Sequence, residues 1–365
     1  MKFNSFLSVP QKIERNINKN IHSVIKHGHF ILGPEVLKLE QELKKMINAK
    51  YCIGVSSGTD ALLISLMALN IKKNDEVVVP AFSWISTASV IKLIGAKPIF
   101  VDIDMTTCNI NEDLIEKNIS KKTKAIIFVS LFGNTPNYKK IKKIGLKYKL
   151  PIIEDGAQSF GAKFKDKFSC NLSTIGCTSF FPSKPLGAFG DAGAIFTNNK
   201  ELYLKMKNIR VQGQISKNYH KYIGINGRID TIQCAVLLAK IKNFDLELSL
   251  RKKKFLIYKN FFIKNSFKNI KLIEYEKYGK SSFAQFCLLT SKRDFLISKM
   301  KKHNIPYAIY YPKPMDRQPM FKCKVKTKKS LIISKKILSL PFGPYIKISE
   351  QKKITNFFLK YKKEL

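Results

Sequence analysis

The chain has 365 residues, is 45% hydrophobic and 11% aromatic, and carries a formal net charge of +40. That is too long for one small core and too apolar for a disordered chain, so two compact regions are expected. Sixty of the 66 basic residues are Lys, spread along the sequence; nucleic-acid sites favour the fork and stacking of Arg, so the excess reads as solvated faces with no nucleic-acid partner.

The first seven residues, Met1 to Leu7, lack the apolar core of a signal peptide, and no apolar run approaches the roughly 20 residues of a membrane span. A cytoplasmic protein is expected. Tyr51–Val55 reads as a strand and Thr59–Asn70 as an amphipathic helix. Glu76–Val79 is β-branched, Thr87–Leu93 helical and Pro98–Val101 extended. Asn111–Ile119 reads as helix, Lys124–Ser130 as a buried strand, Asn137–Tyr148 as a basic helix and Pro151–Glu154 as another strand. Strands separated by helices argue for an α/β fold with a mainly parallel sheet covered on both faces, and ligands gather beyond the carboxyl ends of such strands. Ile229–Leu248 reads as one long helix, followed by a solvated Arg251–Lys254 near a domain boundary. The remainder reads as strand, helix, strand, helix. The expected division is a large domain over 1–245 and a smaller C-terminal α+β domain over 246–365.

Seven Cys without a Cys-x-x-Cys pair and five scattered His match no metal template and suggest reduced thiols; His27-Gly28-His29 reads as a turn. Four segments carry candidate chemistry. Val55-Ser56-Ser57-Gly58-Thr59 joins a strand to a helix, where small residues and a helix N-terminus suit a phosphate; an ordinary N-cap by Ser57 or Thr59 explains it equally well. Trp84, the single Trp, follows a strand end, where a flat ring can stack on a planar ligand or simply line the core. Glu154 and Asp155 end an apolar strand. Their side chains point to opposite faces, so only one can serve a given site, and a carboxylate there can keep a cationic ring nitrogen protonated. Lys184 lies between the aromatic Phe180-Phe181 and the Gly-rich 187–193. A lysine held in such surroundings loses basicity and becomes an amine nucleophile. Composition alone does not select it from so many lysines.

Together these segments resemble the DegT/DnrJ/EryC1/StrS family of pyridoxal-phosphate (PLP) sugar aminotransferases, from about Phe30 to the C-terminus. The motifs fall in family order: Ser57-Gly58-Thr59, Pro80-Ala81-Phe82, Glu154-Asp155, Ser179 through Lys184, Gly190-Asp191, Asn226-Gly227-Arg228, Tyr311-Pro312 and Leu340-Pro341. The resemblance implies the aspartate-aminotransferase-like fold and the following roles. Lys184 forms the Schiff base and then acts as acid and base. Asp155 pairs with the pyridinium nitrogen, and Gln158 lies near the cofactor's phenolic oxygen. Gly58, Thr59 and Ser179 hold the phosphate, and Trp84 stacks on the ring. Asn226 reaches the phosphate of a neighbouring subunit in a homodimer with shared sites. Arg228 and Tyr311 are candidates for substrate contact. A closer likeness, in Phe30–Val36, Ser169–Thr174, Phe180–Gly187 and Tyr311–Pro314, is to members that aminate UDP-2-acetamido-3-keto-glucuronic acid for bacterial O-antigen, with glutamate as donor. A 4-keto or another 3-keto nucleotide sugar is the alternative substrate, and a basic nucleic-acid binder on the same fold is a remote one. Related dehydratases replace the Schiff-base Lys by His; Lys184 argues against that chemistry here. Two departures stand out. Gly227 replaces the family's usual Ser, which would loosen its loop, and Tyr310 stands where a His is frequent.

Overall fold

The computed structural model describes Phe3, residues 9–323 and residues 327–365; the rest of the N-terminal segment read above for a leader lies outside them. A seven-stranded sheet runs in the order Tyr51–Val55, Gly193–Thr197, Ile175–Ser179, Ile152–Asp155, Thr123–Val129, Glu76–Pro80, Lys97–Val101. Six strands are parallel, and Gly193–Thr197 runs antiparallel to both its neighbours. Alternation sorts the side chains. Val77 and Val79 join Leu62, Ile64 and Leu66 of the helix Gly58–Ala68, whereas Val78 and Ile126 pack on the other face against Ile141 and Ile144 of the helix Tyr138–Lys147. Burial on both faces is what makes these strands continuously apolar.

The C-terminal part is a three-stranded antiparallel sheet, Ile270–Leu272, Phe286–Thr290 and Ile337–Leu340. Phe255, Tyr258 and Phe262 of the helix Phe244–Asn265 pack there with Phe286 and with Phe358 of the helix Ile348–Lys360. Each such buried side chain contributes roughly 1.5–3 kcal/mol.

Four details of the sequence reading change. Asn111–Ile119 is two 3₁₀ turns, Glu112–Leu114 and Glu116–Asn118, because the Asn111 side chain accepts from the Asp113 N–H and holds a turn geometry. The long helix is two, Thr231–Ile241 and Phe244–Asn265, broken at Lys242-Asn243. Arg251–Lys254 lies within the second helix, with Arg251 buried and not solvated. Beyond that helix the order is strand, strand, helix, helix, strand, helix. His27 is the last residue of the first helix, and Gly28 at φ 72° caps it. None of the seven cysteines is in a disulfide. Among the described residues there is no His/Cys/Asp/Glu cluster able to hold a metal ion and no helix long and apolar enough to cross a membrane.

Candidate active site

A cavity of about 330 Å³ opens where the parallel strands end. Gly58, Thr59, Trp84, Asp155, Gln158, Ser179, Lys184 and Tyr311 all line it. Asn226 and Arg228 do not. Asn226 is exposed and bridges to Val211, and the half-buried Arg228 bridges to Val55. Gly227 is not loose: its N–H donates to the Arg210 carbonyl (3.0 Å) and its carbonyl accepts from the Ser56 N–H (3.0 Å).

The strand Tyr51–Val55 delivers the chain to the helix Gly58–Ala68. Ser57 is its N-cap, accepting from the Asp60 N–H through its Oγ at 3.0 Å. Gly58 and Thr59, whose N–H groups have no partner within the helix, line the cavity at the helix's positive end, which suits an anion. Gly58 is required by packing: a Cβ there would stand 2.7 Å from the Ser179 Cβ. Thr59 Oγ1 donates to Ser86 Oγ at 2.9 Å.

Asp155 ends its strand buried. Its Oδ2 accepts from Thr87 Oγ1 at 2.7 Å and its Oδ1 from the Ala157 N–H at 3.2 Å. Burial pushes its pKa up, against the lowering effect of Thr87, the Ala157 N–H and the Lys184 charge. Burial also lowers the pKa of the Lys184 amine, and the Asp155 charge opposes this. The two groups therefore share one weakly solvated space, in which burial disfavours either charge alone and each charge stabilises the other. Glu154 points to the opposite face. There Ser130 Oγ (2.8 Å), Ser169 Oγ (2.5 Å) and the Cys170 N–H (2.8 Å) donate to it. Burial nevertheless raises its pKa to about 7.

Gln158 is anchored at both ends of its amide. Its Oε1 accepts from the Phe132 N–H at 2.7 Å and its Nε2 donates to Tyr311 Oη at 3.0 Å. Trp84 is 57% exposed at the cavity mouth, its ring centroid 5.9 Å from that of Tyr311. Sequence reasoning missed Thr87, Ser86 and Gln285. The first two open the helix Ser86–Leu93, which follows the strand Glu76–Pro80 to the same edge of the sheet. That position was the available signal. Gln285 also lines the cavity, but it comes from the C-terminal part and nothing periodic in Ser281–Gln285 marks it.

An amine whose basicity burial lowers, a buried carboxylate and a helix N-terminus around one cavity fit PLP: an aldehyde for the amine, a ring nitrogen for the carboxylate, a phosphate for the helix. The whole fold is similar to NtdA from Bacillus subtilis, solved with bound cofactor PMP, the aminated form of PLP. The TM-score is 0.91 and the identity 28%, over 97% of this chain and 83% of that one. The class is thus a PLP-dependent aminotransferase. The model of the DegT/DnrJ/EryC1/StrS aminotransferase family matches residues 11–358, and the chain belongs to that family. It is 43% identical over 336 residues to the UDP-2-acetamido-2-deoxy-3-oxo-D-glucuronate aminotransferase of Pseudomonas aeruginosa, which covers 92% of this chain and 93% of that one. It is 33% identical over 329 residues to the UDP-N-acetyl-3-dehydro-alpha-D-glucosamine 3-aminotransferase of Acidithiobacillus ferrooxidans, covering 90% and 88%. The chain is a nucleotide-sugar aminotransferase.

Proposed function

We propose that this enzyme moves an amino group from glutamate to C3 of UDP-2-acetamido-3-keto-glucuronic acid, a step toward a bacterial surface polysaccharide. The observation that carries the substrate is the 43% identity, over 92% of the chain, to an enzyme named for that sugar. The A. ferrooxidans relative is also named for a 3-keto UDP-sugar, which supports C3 over C4. It also favours a second reading, a 3-keto sugar without the carboxylate.

Bound PLP supplies the aldehyde that carries the amino group and the ring that accepts electrons. The chain's residues do the rest. Lys184, whose basicity burial lowers, would attach the cofactor through Nζ. Once free, its amine would move a proton to and from the substrate carbon. Asp155 would keep the ring nitrogen protonated, and Thr87 and the Ala157 N–H fix the orientation of its carboxylate. Gly58, Thr59 and Ser179 would hold the phosphate at the helix end. Trp84 would cover the ring and Gln158 would serve its phenolic oxygen. Tyr311 contacts substrate. Asn226 and Arg228, which do not line this chain's own cavity, serve the site of a second subunit in a homodimer.

The test is the visible spectrum of the protein with PLP, before and after glutamate, beside Lys184→Ala. A yellow band that bleaches with glutamate, and is absent or altered in the variant, supports the donor half of the reading. Offering the two 3-keto UDP-sugars to the bleached enzyme then separates the readings. A band that glutamate leaves unchanged refutes the donor. For the shared site, mixing Lys184→Ala with Asn226→Ala subunits regains activity that neither variant has alone; a mixture as inactive as its parts refutes the sharing.

A further inference from the structure

We infer that Gln233 and Lys240 are positioning residues for Lys184: two side chains of one helix that hold the foot of the loop carrying it. The inference rests on the role given to Lys184 above. Asp155 ends a strand, but Lys184 stands in the irregular segment between the strands Ile175–Ser179 and Gly193–Thr197. That segment is closed at its base. The Ala188 N–H donates to the Phe180 carbonyl at 2.7 Å, and Gly187 lies so near Pro182 that a Cβ there would stand 2.5 Å from the Pro182 carbonyl oxygen. Lys184 sits inside the loop so formed, its own N–H donating to the Phe181 carbonyl at 2.8 Å. A catalytic group on a loop is only as precise as the contacts that support the loop.

The helix Thr231–Ile241 packs against that base. Leu186, Ala188 and Ala192 share one core with Cys234, Leu237 and Leu238. Two polar side chains of the same helix add fixed points. Gln233 Oε1 accepts from the Phe189 N–H at 2.9 Å, and Lys240 Nζ donates to the Gly187 carbonyl. Positions 233 and 240 are about two helical turns apart, so both side chains leave one face of the helix. They take the backbone groups on either side of Ala188, whose N–H is already held by Phe180. Three consecutive residues, 187 to 189, are thereby fixed. Gly190 belongs to the same fit, because a Cβ there would stand 2.9 Å from Gln233 Nε2 and displace it. This gives a reason for the Gly of the Gly190-Asp191 motif, to which the chemistry of the cofactor assigns no task. Lys240 Nζ also lies 6.0 Å from the centre of the Phe189 ring, within cation–π range. Burial lowers its basicity. An apolar side chain would fill that place without the desolvation of an amine, so the contact with Gly187 is what Lys240 adds.

The experiment compares wild type with Gln233→Leu, Gln233→Glu and Lys240→Met, each with Lys184 present and in Lys184→Ala. Two quantities are read. One is the rate at which glutamate, or glutamate deuterated at C2, bleaches the PLP-loaded protein. The other is amide hydrogen exchange over residues 180–192 in the protein without PLP. With Lys184 present, Gln233→Leu and Lys240→Met should slow bleaching about tenfold, within the roughly 100-fold that a displacement of about 1 Å costs. The deuterium effect should grow, because proton transfer becomes the slow step. Gln233→Glu keeps the acceptor for Phe189 and should stay near the wild-type rate. Residues 187–190 should exchange faster in the two slowed variants, while the helix Thr231–Ile241 does not. In Lys184→Ala, whose residual bleaching is followed with added methylamine, the same substitutions should change the rate by less than about twofold, since residues that act through one partner lose their effect with it. Falls of equal size with and without Lys184, unaltered exchange, or a Gln233→Glu no faster than Gln233→Leu overturn the assignment and leave the functional reading intact. A wild type that glutamate does not bleach overturns the functional reading, and this inference with it. Uptake of PLP and the thermal midpoint of each variant report that it is folded.

Discussion

One wall of the cavity is made from strand ends and a helix start; the other is made from side chains reaching over from the C-terminal part. The first wall holds Gly58, Thr59, Asp155, Ser179 and Lys184, and its positions follow from the register of a parallel sheet. The second holds Gln285, Tyr310 and Tyr311, set by a short antiparallel sheet and the segment beside it. The difference teaches where constraint lies. A cofactor wall must meet one rigid molecule, so it is built from backbone and small residues with little freedom. A substrate wall meets a sugar and is built from side chains whose replacement alters preference and leaves the sheet undisturbed. Substitutions on the first wall should therefore abolish turnover, and those on the second should shift KM.

The largest effect is expected at Lys184. On the proposed roles, Lys184→Ala removes both the covalent attachment and the proton carrier, so transamination should fall by at least about 10³-fold, read as turnover with glutamate and the keto-sugar. Added methylamine should restore a small part of it. A variant that keeps a tenth of the activity would mean that another group moves the proton.

Asp155→Asn comes next. The shape and the Thr87 contact survive, but no carboxylate faces the ring nitrogen. Turnover should drop by about 10²-fold or more, while PLP is still bound and the visible band persists with altered position. Loss of binding with intact turnover per bound PLP would make Asp155 a structural residue.

Tyr311→Phe tests the second wall. It leaves Gln158 Nε2 without its acceptor and the substrate without a donor. One neutral hydrogen bond implies roughly a 3- to 10-fold loss, expected chiefly in KM for the keto-sugar. A loss of 10³-fold in kcat would erase the distinction between the walls.

The two walls also differ in how far the sequence revealed them. Strand positions 51–55, 76–79 and 98–101 were readable because they are short, mainly apolar runs of strand length, and the ordered motifs placed Asp155 at a strand end and Lys184 in the turn after Ser179. The break at Lys242-Asn243 was not readable, since the apolar residues on either side continue a helical pattern and only packing of Phe244 into the core separates them. Gln285 was invisible for another reason. Its contribution depends on a contact between parts of the chain more than 100 residues apart, and a lone Gln in an irregular stretch carries no local signal. Glu154 and Asp155 show the same limit at short range. Alternation said that they diverge, but which of them meets the cavity was supplied by the family resemblance and not by the residues themselves.

The smallest expected effect lies behind the first wall, at Glu154. Its carboxyl is buried beside three donors, yet desolvation lifts its pKa from 4.5 to about 7. Because the folded value is the higher one, the folded protein binds this proton more tightly than the unfolded chain does. The resulting stabilisation is complete below about pH 4.5 and is lost as pH rises through about 7. Asp155, the other carboxylate acting on it, is raised by burial as well, so it adds to the same slope. Glu154→Gln cannot take up the proton, so its thermal midpoint should decline less between pH 5 and pH 8 than the wild type's, whatever the absolute cost of the substitution. Parallel midpoint curves for the two proteins would mean that Glu154 is ionised throughout, held by Ser130, Ser169 and the Cys170 N–H strongly enough to offset its burial. The cofactor wall would then rest on a buried charge.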